Sequence, residues 1–173
     1  MKKKTLLYCV LLMGFVSSCV VVPQNVRFTE DLYKKNCQLP EGLDVNVTIV
    51  GHIINLIINN NTNDVWRMDW NSCSVAQDPS GWQSKLVDGQ ATIMNKNDVK
   101  PPLVVSPGKV ETQMYPADLF SYSSWQGTYF KPWPVPDGGV LKIILGFRDS
   151  NDKMRFCIVA GNLSTKVSKI ADP

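Results

Sequence analysis

Leu43-Asp44-Val45-Asn46-Val47-Thr48-Ile49-Val50-Gly51-His52-Ile53-Ile54-Asn55-Leu56-Ile57-Ile58 is the stretch that decides the fold class. Val45, Val47 and Ile49 alternate with Asp44, Asn46 and Thr48, a period of two that leaves one apolar face, as in a half-buried strand. Beyond Gly51 the apolar set resumes on the opposite parity, at Ile54, Leu56 and Ile58. A glycine at a parity switch predicts a bulge or bend, where one long strand passes between two sheets.

Downstream the same logic repeats. Asn59-Asn60-Asn61-Thr62-Asn63-Asp64 is a turn cluster, because Asn and Asp tolerate left-handed backbone and bond to it locally. Val65 to Asn71 returns as a strand with Trp66, Met68 and Trp70 on one parity, and Trp66 and Trp70 are expected in the core. Asp78-Pro79-Ser80-Gly81 turns the chain into Trp82–Val87, and Asp88-Gly89 marks a tight connection to a strand at Ala91–Met94. Pro101-Pro102 forbids ladder donation before the short strand Leu103–Val105. Ser106-Pro107-Gly108 is a further turn, and Lys109–Tyr115 alternates again. Gly139–Arg148 and Lys153–Leu163 form the clearest hairpin, joined through Asp149-Ser150-Asn151-Asp152. About eight short strands with frequent turns and no long amphipathic helix predict an all-β protein, an antiparallel sandwich.

Upstream, Lys2, Lys3 and Lys4 precede an apolar run from Leu6 to Val16 that ends in Val16-Ser17-Ser18-Cys19. A positive head, a short apolar segment and small residues form the secretory signal pattern. The run is about half the roughly 20 residues that a bilayer crossing takes. Val-Ser-Ser-Cys resembles the lipobox of bacterial lipoproteins, which implies cleavage before Cys19 and acylation of its thiol. The expected organisation is a signal peptide at 1–18, an acylated N-terminus and tether at 19–42, and a β-sandwich at 43–173. Within the tether, Glu30–Lys35 has the composition for one helical turn before Pro40 and Gly42 stop it. By the same analogy, Val20 after the cysteine implies outer-membrane sorting in a cell with two membranes.

The chain of 173 residues carries 18 basic and 15 acidic side chains. Loss of Lys2, Lys3 and Lys4 with the signal would balance them, so the mature surface has no electrostatic reason to bind nucleic acid or coat anionic lipid. The expected membrane contact is the lipid on Cys19. Of the five cysteines, Cys9 leaves with the signal, and Cys37, Cys73 and Cys157 remain in a domain facing an oxidising space. Three thiols allow three pairings. Cys37 and Cys73 lie near segment ends and are the preferred pair, with Cys157 a buried free thiol inside Phe156–Ala160. No C-x-x-C occurs and there is a single histidine, so no metal site and no cofactor are expected.

The segment from Ile58 to Asp118 resembles a group of small bacterial lipoproteins. The matching residues are Asn59–Asn63, Asp69-Trp70-Asn71 before a small residue, the turn Asp78 to Gly81, Pro101-Pro102, Val104-Val105-Ser106-Pro107-Gly108, and Pro116-x-Asp118. Its strand-turn-strand segments are also similar to immunoglobulin-like extracytoplasmic domains. The resemblance implies an immunoglobulin-like sandwich at the cell envelope and brings no activity with it. Cys73 departs from the pattern, which has a small polar residue there.

His52 is the only histidine, so any His-dependent scheme must pass through it. A lone strand histidine is expected to be structural or solvated. No G-x-S-x-G elbow, H-E-x-x-H or phosphate-binding loop is present, and no spacing favours a carboxylate pair. The expectation is therefore a non-enzymatic binding module, with a structural role in an envelope complex of the secretion or conjugation kind as the alternative. A carboxylate hydrolase ranks third. Tyr115–Pro136 is the informative region, with Tyr115, Phe120, Tyr122, Trp125, Tyr129, Phe130 and Trp133 and a stiffening Pro132, Pro134 and Pro136. Aromatic faces with polar tips suit recognition of a protein or glycan partner, and Tyr122, Trp125, Tyr129, Phe130 and Trp133 are the candidate contacts. The competing expectation is that these rings fold back and plug one end of the sandwich.

Overall fold

The computed structural model describes residues 27–28, 34–78, 80–123, 127–131, 133–134 and 139–164. Its thirteen strands are β1 (Arg27–Phe28), β2 (Lys34–Cys37), β3 (Leu43–Val50), β4 (Ile53–Asn60), β5 (Trp66–Met68), β6 (Ser74–Asp78), β7 (Gln83–Asp88), β8 (Leu103–Val105), β9 (Gly108–Pro116), β10 (Phe120–Ser123), β11 (Gly127–Phe130), β12 (Val140–Arg148) and β13 (Met154–Ser164). Short 3-10 turns occupy Trp70–Ser72 and Ala117–Leu119. Among the described residues no helix is long and apolar enough to cross a membrane.

The parity switch at Gly51 has a simpler cause than the expected bend between sheets. Gly51 and His52 are the two-residue loop of the β3–β4 hairpin, with Val50 opposite Ile53 and Ile49 opposite Ile54. A loop of even length pairs odd residues with even ones, so the apolar face must change parity across it. Gly51 has φ 61°, the positive value that a II′-type hairpin asks of its first loop position. Val45 faces Ile58 and Val47 faces Leu56, all buried.

Eleven strands form one antiparallel sheet, in the order β1-β13-β12-β6-β7-β9-β4-β3, with β2 beside β13 and β5 and β8 attached through β12. The sheet curls because β7 serves two neighbours. Its first half pairs with β6 (Ala76 with Gln83, Ser74 with Lys85), and its second half pairs with β9 (Leu86 with Pro116, Asp88 with Met114). Leu86 and Val87 are buried in succession, the mark of a strand that turns a corner between layers. At the seam, Lys35 of β2 makes an ion pair with Asp44 of β3. The lysine lowers the Asp44 carboxyl below its ordinary value. An exposed pair of this kind contributes about 0–1 kcal/mol, so burial rather than charge holds the curl. Ile54, Leu56, Ile58, Val75, Leu86, Val105, Leu141, Ile143, Leu145, Phe147 and Val159 all lie at 0–1% exposure in one core cluster. Each such side chain contributes roughly 1.5–3 kcal/mol.

Two polar devices fix the irregular joints. Asn60 is buried, and its amide nitrogen donates to the carbonyls of Asp64 (2.8 Å) and Val105 (3.0 Å) while its oxygen accepts from Thr62. The asparagine turn thus ties the end of β4 to β8. Asp69 caps the turn at Trp70–Ser72, accepting from the Asn71 N–H at 3.0 Å and the Ser72 hydroxyl at 3.1 Å. That turn separates β5 from β6, which both pair with β12.

Trp66 and Met68 are core residues as strand parity requires, whereas Trp70, expected in the same strand, is buried from the 3-10 turn that follows β5. The β12–β13 hairpin forms in register from Val140 with Asn162 to Arg148 with Met154. Three expectations need correction. The strands among the described residues number thirteen rather than about eight, because several pairings involve only two to four residues, as in β1, β5 and β8. Ala91–Met94 is a turn-rich loop rather than a strand, since its main-chain groups bond locally (Ala91 N–H to Asp88 O, 2.8 Å). Lys34 and Lys35, expected in a helical turn, open a strand that pairs with β13.

Candidate interaction surface

The aromatic segment divides into a buried root and an exposed tip. Tyr115, Phe120 and Phe130 pack against each other with ring centroids 5.0–5.2 Å apart, in a small cluster with Val87, Ala91 and Ala117. Such edge and offset contacts contribute about 0.5–1.5 kcal/mol beyond burial. The Tyr115 hydroxyl donates to the Ala91 carbonyl. Burial first, and then the Asp88 charge, push its phenol above the ordinary value, which keeps it a donor. The Lys96 ammonium donates to the carbonyls of Ala117 (2.9 Å) and Phe120 (2.8 Å). These contacts grip the start of a separate two-stranded ribbon, β10–β11, in which Phe120 pairs with Phe130 and Tyr122 with Thr128.

Trp133 is a correction to the candidate list. It is 5% exposed, its indole N–H donates to the Gly51 carbonyl at 2.8 Å, and its ring meets Trp82 edge-on at 6.1 Å. His52 lies parallel to both Phe130 (5.2 Å, 9°) and Trp133 (6.3 Å, 2°). The tip of the β3–β4 hairpin is therefore clamped by the segment following β11. Burial, opposed by a backbone hydrogen bond to Lys131, lowers the His52 imidazole below its ordinary value. Its Nε2 is buried without a hydrogen-bond partner. The competing expectation, a plug formed by the rings, describes Trp133, Phe120 and the ring of Phe130. It describes them because the hairpin tip offers an imidazole face and a carbonyl that the returning indole meets.

What remains for a partner is the distal ribbon. Tyr122 is 62% exposed, and Tyr129, on the opposite ribbon face, is half-buried. Trp125 lies outside the described residues, as do Cys19 and everything expected of residues 1–26.

The cysteine pairing is also corrected. Cys37 is joined to Cys157, not to Cys73, and the two are direct cross-strand partners of β2 and β13. Cys73 is a buried free thiol whose sulfur donates to the Asp69 carbonyl at 3.3 Å. Burial, aided by the Asp69 charge and opposed by a backbone bond from Gly146, pushes that thiol up to about 12. It is an inert core group. No group of three or more His, Cys, Asp or Glu gathers within reach of one ion among the described residues. Sequence reasoning missed Lys96 and Asn60, whose roles depend on carbonyls distant in sequence.

No protein-family model matches the chain, and no curated protein matches it. One similar solved structure is described as the X-ray structure of Northeast Structural Genomics Consortium target SoR45. It is 10% identical, covers 87% of this chain and 94% of its own, and superposes with a TM-score of 0.37. At that score neither fold nor function transfers.

Proposed function

We propose that this chain is a lipid-anchored protein of the bacterial envelope that holds a partner protein rather than performing chemistry. The observation that carries the proposal is the β10–β11 ribbon. Its root is fixed by Phe120, Phe130 and Lys96, while Tyr122 stands 62% exposed beyond it. A rigid base with an exposed aromatic tip binds at small entropic cost, the property that makes tyrosine frequent in recognition surfaces. Cys19 carries the lipid, and the residues between it and β1 hold the domain off the membrane. Stable anchoring takes more than one acyl chain, which a lipoprotein cysteine supplies. An outer-membrane position follows from Val20 if the cell has two membranes. The finer architecture is an immunoglobulin-like sandwich, a reading supported by the way β7 carries the chain from the β6–β12–β13 layer to the β9–β4–β3 layer.

The test places a photo-crosslinking phenylalanine analogue at Tyr122, or at Glu111 as a control, in the full chain inside cells. Glu111 is an exposed residue of β9. A discrete protein adduct at Tyr122 and none at Glu111 is the expected result. Adducts at Glu111 but not Tyr122 would remove the ribbon as the contact surface.

A further inference from the structure

β12 and β13 carry apolar residues on their outward parity as well as their inward one. Ile144 stands opposite Ile158, and Phe156 opposite Gly146. Strands apolar on both faces have the pattern of two-sided burial, yet Phe156 remains 38% exposed. Part of this outer face is covered by the turn at Trp70–Ser72. A Cβ at Gly146 would stand 2.5 Å from the Ser72 Cβ, so the turn lies flush on the sheet and glycine is needed beneath it. Beside the turn is a groove of about 550 Å³ whose lining includes Asn71, Ser74, Gln83, Lys85, Asp118 and Phe156.

The chemistry of the lining narrows the occupant. Lys85 donates to the Asn71 side-chain oxygen at 3.1 Å, which leaves the Asn71 amide nitrogen free to donate. The Asp118 carboxylate has no hydrogen bond or ion pair among the described residues, only its backbone N–H being engaged, by Ser84. One ammonium offset by one carboxylate gives no net field for a phosphate or polyanion. The groove lies across the faces of β13, β12, β6 and β7, which pair in that order, so a peptide lying in it would cross the strands rather than extend an edge. Hydroxyls, amides and one offset charge pair around an exposed ring match a ligand that is apolar on one face and hydroxylated at its rim.

We propose that this groove binds a neutral glycan chain, with Phe156 and Ile144 taking the C–H face of one sugar and Asn71, Gln83, Lys85 and Asp118 its hydroxyls. The site is separate from the ribbon and does not depend on the protein-binding reading. Cellohexaose, maltohexaose and chitohexaose are titrated calorimetrically into the full chain, held in a detergent without a sugar headgroup. At least one binds with Kd of about 1 mM or tighter, the range open to a shallow polar groove. Phe156→Ala and Phe156→Leu each weaken it about tenfold, a loss of roughly 1.4 kcal/mol, with Tm unchanged. Asn71→Ala weakens it less. The proposal is overturned if none of the three binds at about 10 mM, or if Phe156→Leu binds as well as the parent. It is equally overturned if an unstructured peptide, and no sugar, binds in a Phe156-dependent way.

Discussion

Replacing Trp133 by alanine tests whether the aromatic segment is a plug or a display. The ring is 5% exposed, and removing a buried tryptophan costs about 3–5 kcal/mol, transfer and cavity together. The indole bond to the Gly51 carbonyl, at 2.8 Å, adds a distinct share that Trp133→Phe isolates. That variant keeps an aromatic ring but leaves the carbonyl unpaired, for an expected loss of about 1–2 kcal/mol. Urea unfolding is the assay. With a slope of about 2 kcal/mol per molar, the alanine variant should unfold roughly 2 M earlier, and its Tm should fall by about 10–15 °C. His52 and Trp82 lose a neighbour at the same time, so the alanine loss should exceed the phenylalanine loss. A loss under about 0.5 kcal/mol, typical of a surface site, would refute the plug.

Two further outcomes follow from the same geometry. Non-reducing peptide mapping should recover Cys37 linked to Cys157, and Cys73 should resist alkylation until the chain unfolds, because burial holds its thiol near 12. Closing a span of 120 residues, that bridge contributes about 5 kcal/mol in the chain-entropy picture. A Cys37–Cys73 peptide would contradict the pairing. Burial also lowers the His52 imidazole below 6.5, so the unfolded chain takes up that proton first as pH falls. The His52 contribution is complete above pH 6.5 and is lost as pH falls through the folded value. Tm should thus decline more between about pH 7.5 and pH 5 in the parent than in His52→Asn. Equal declines would show that His52 is solvated in the folded state.

The strands were legible where one face alone is buried. Val45, Val47 and Ile49, or Trp66 and Met68, announce themselves through a period of two that burial enforces locally. Pairings between distant segments left no such trace. Nothing in Lys34-Lys35-Asn36-Cys37 marks a strand, because its partner is β13, and without that ladder the disulfide could not be assigned. Gly51 was noticed, but a bend and a hairpin loop impose the same parity change, and only the register of Val50 with Ile53 separates them. Composition marks the aromatic segment as unusual. Which of its rings face inward depends on the His52 face and the Gly51 carbonyl, both supplied by a hairpin some eighty residues away. The groove lined by Asn71, Lys85 and Phe156 had no sequence signal at all, since four separate strands and two turns bring its residues together.

The proposed role depends first on attachment at Cys19. Intact mass of the chain recovered from membranes, beside a Cys19→Ser variant, measures that attachment directly. The expected parent species begins at Cys19 and carries the added mass of several acyl chains, while the variant loses both the added mass and the membrane. A recovered chain that still includes residues 1–18, or that has no added mass and stays in the soluble fraction, would contradict it.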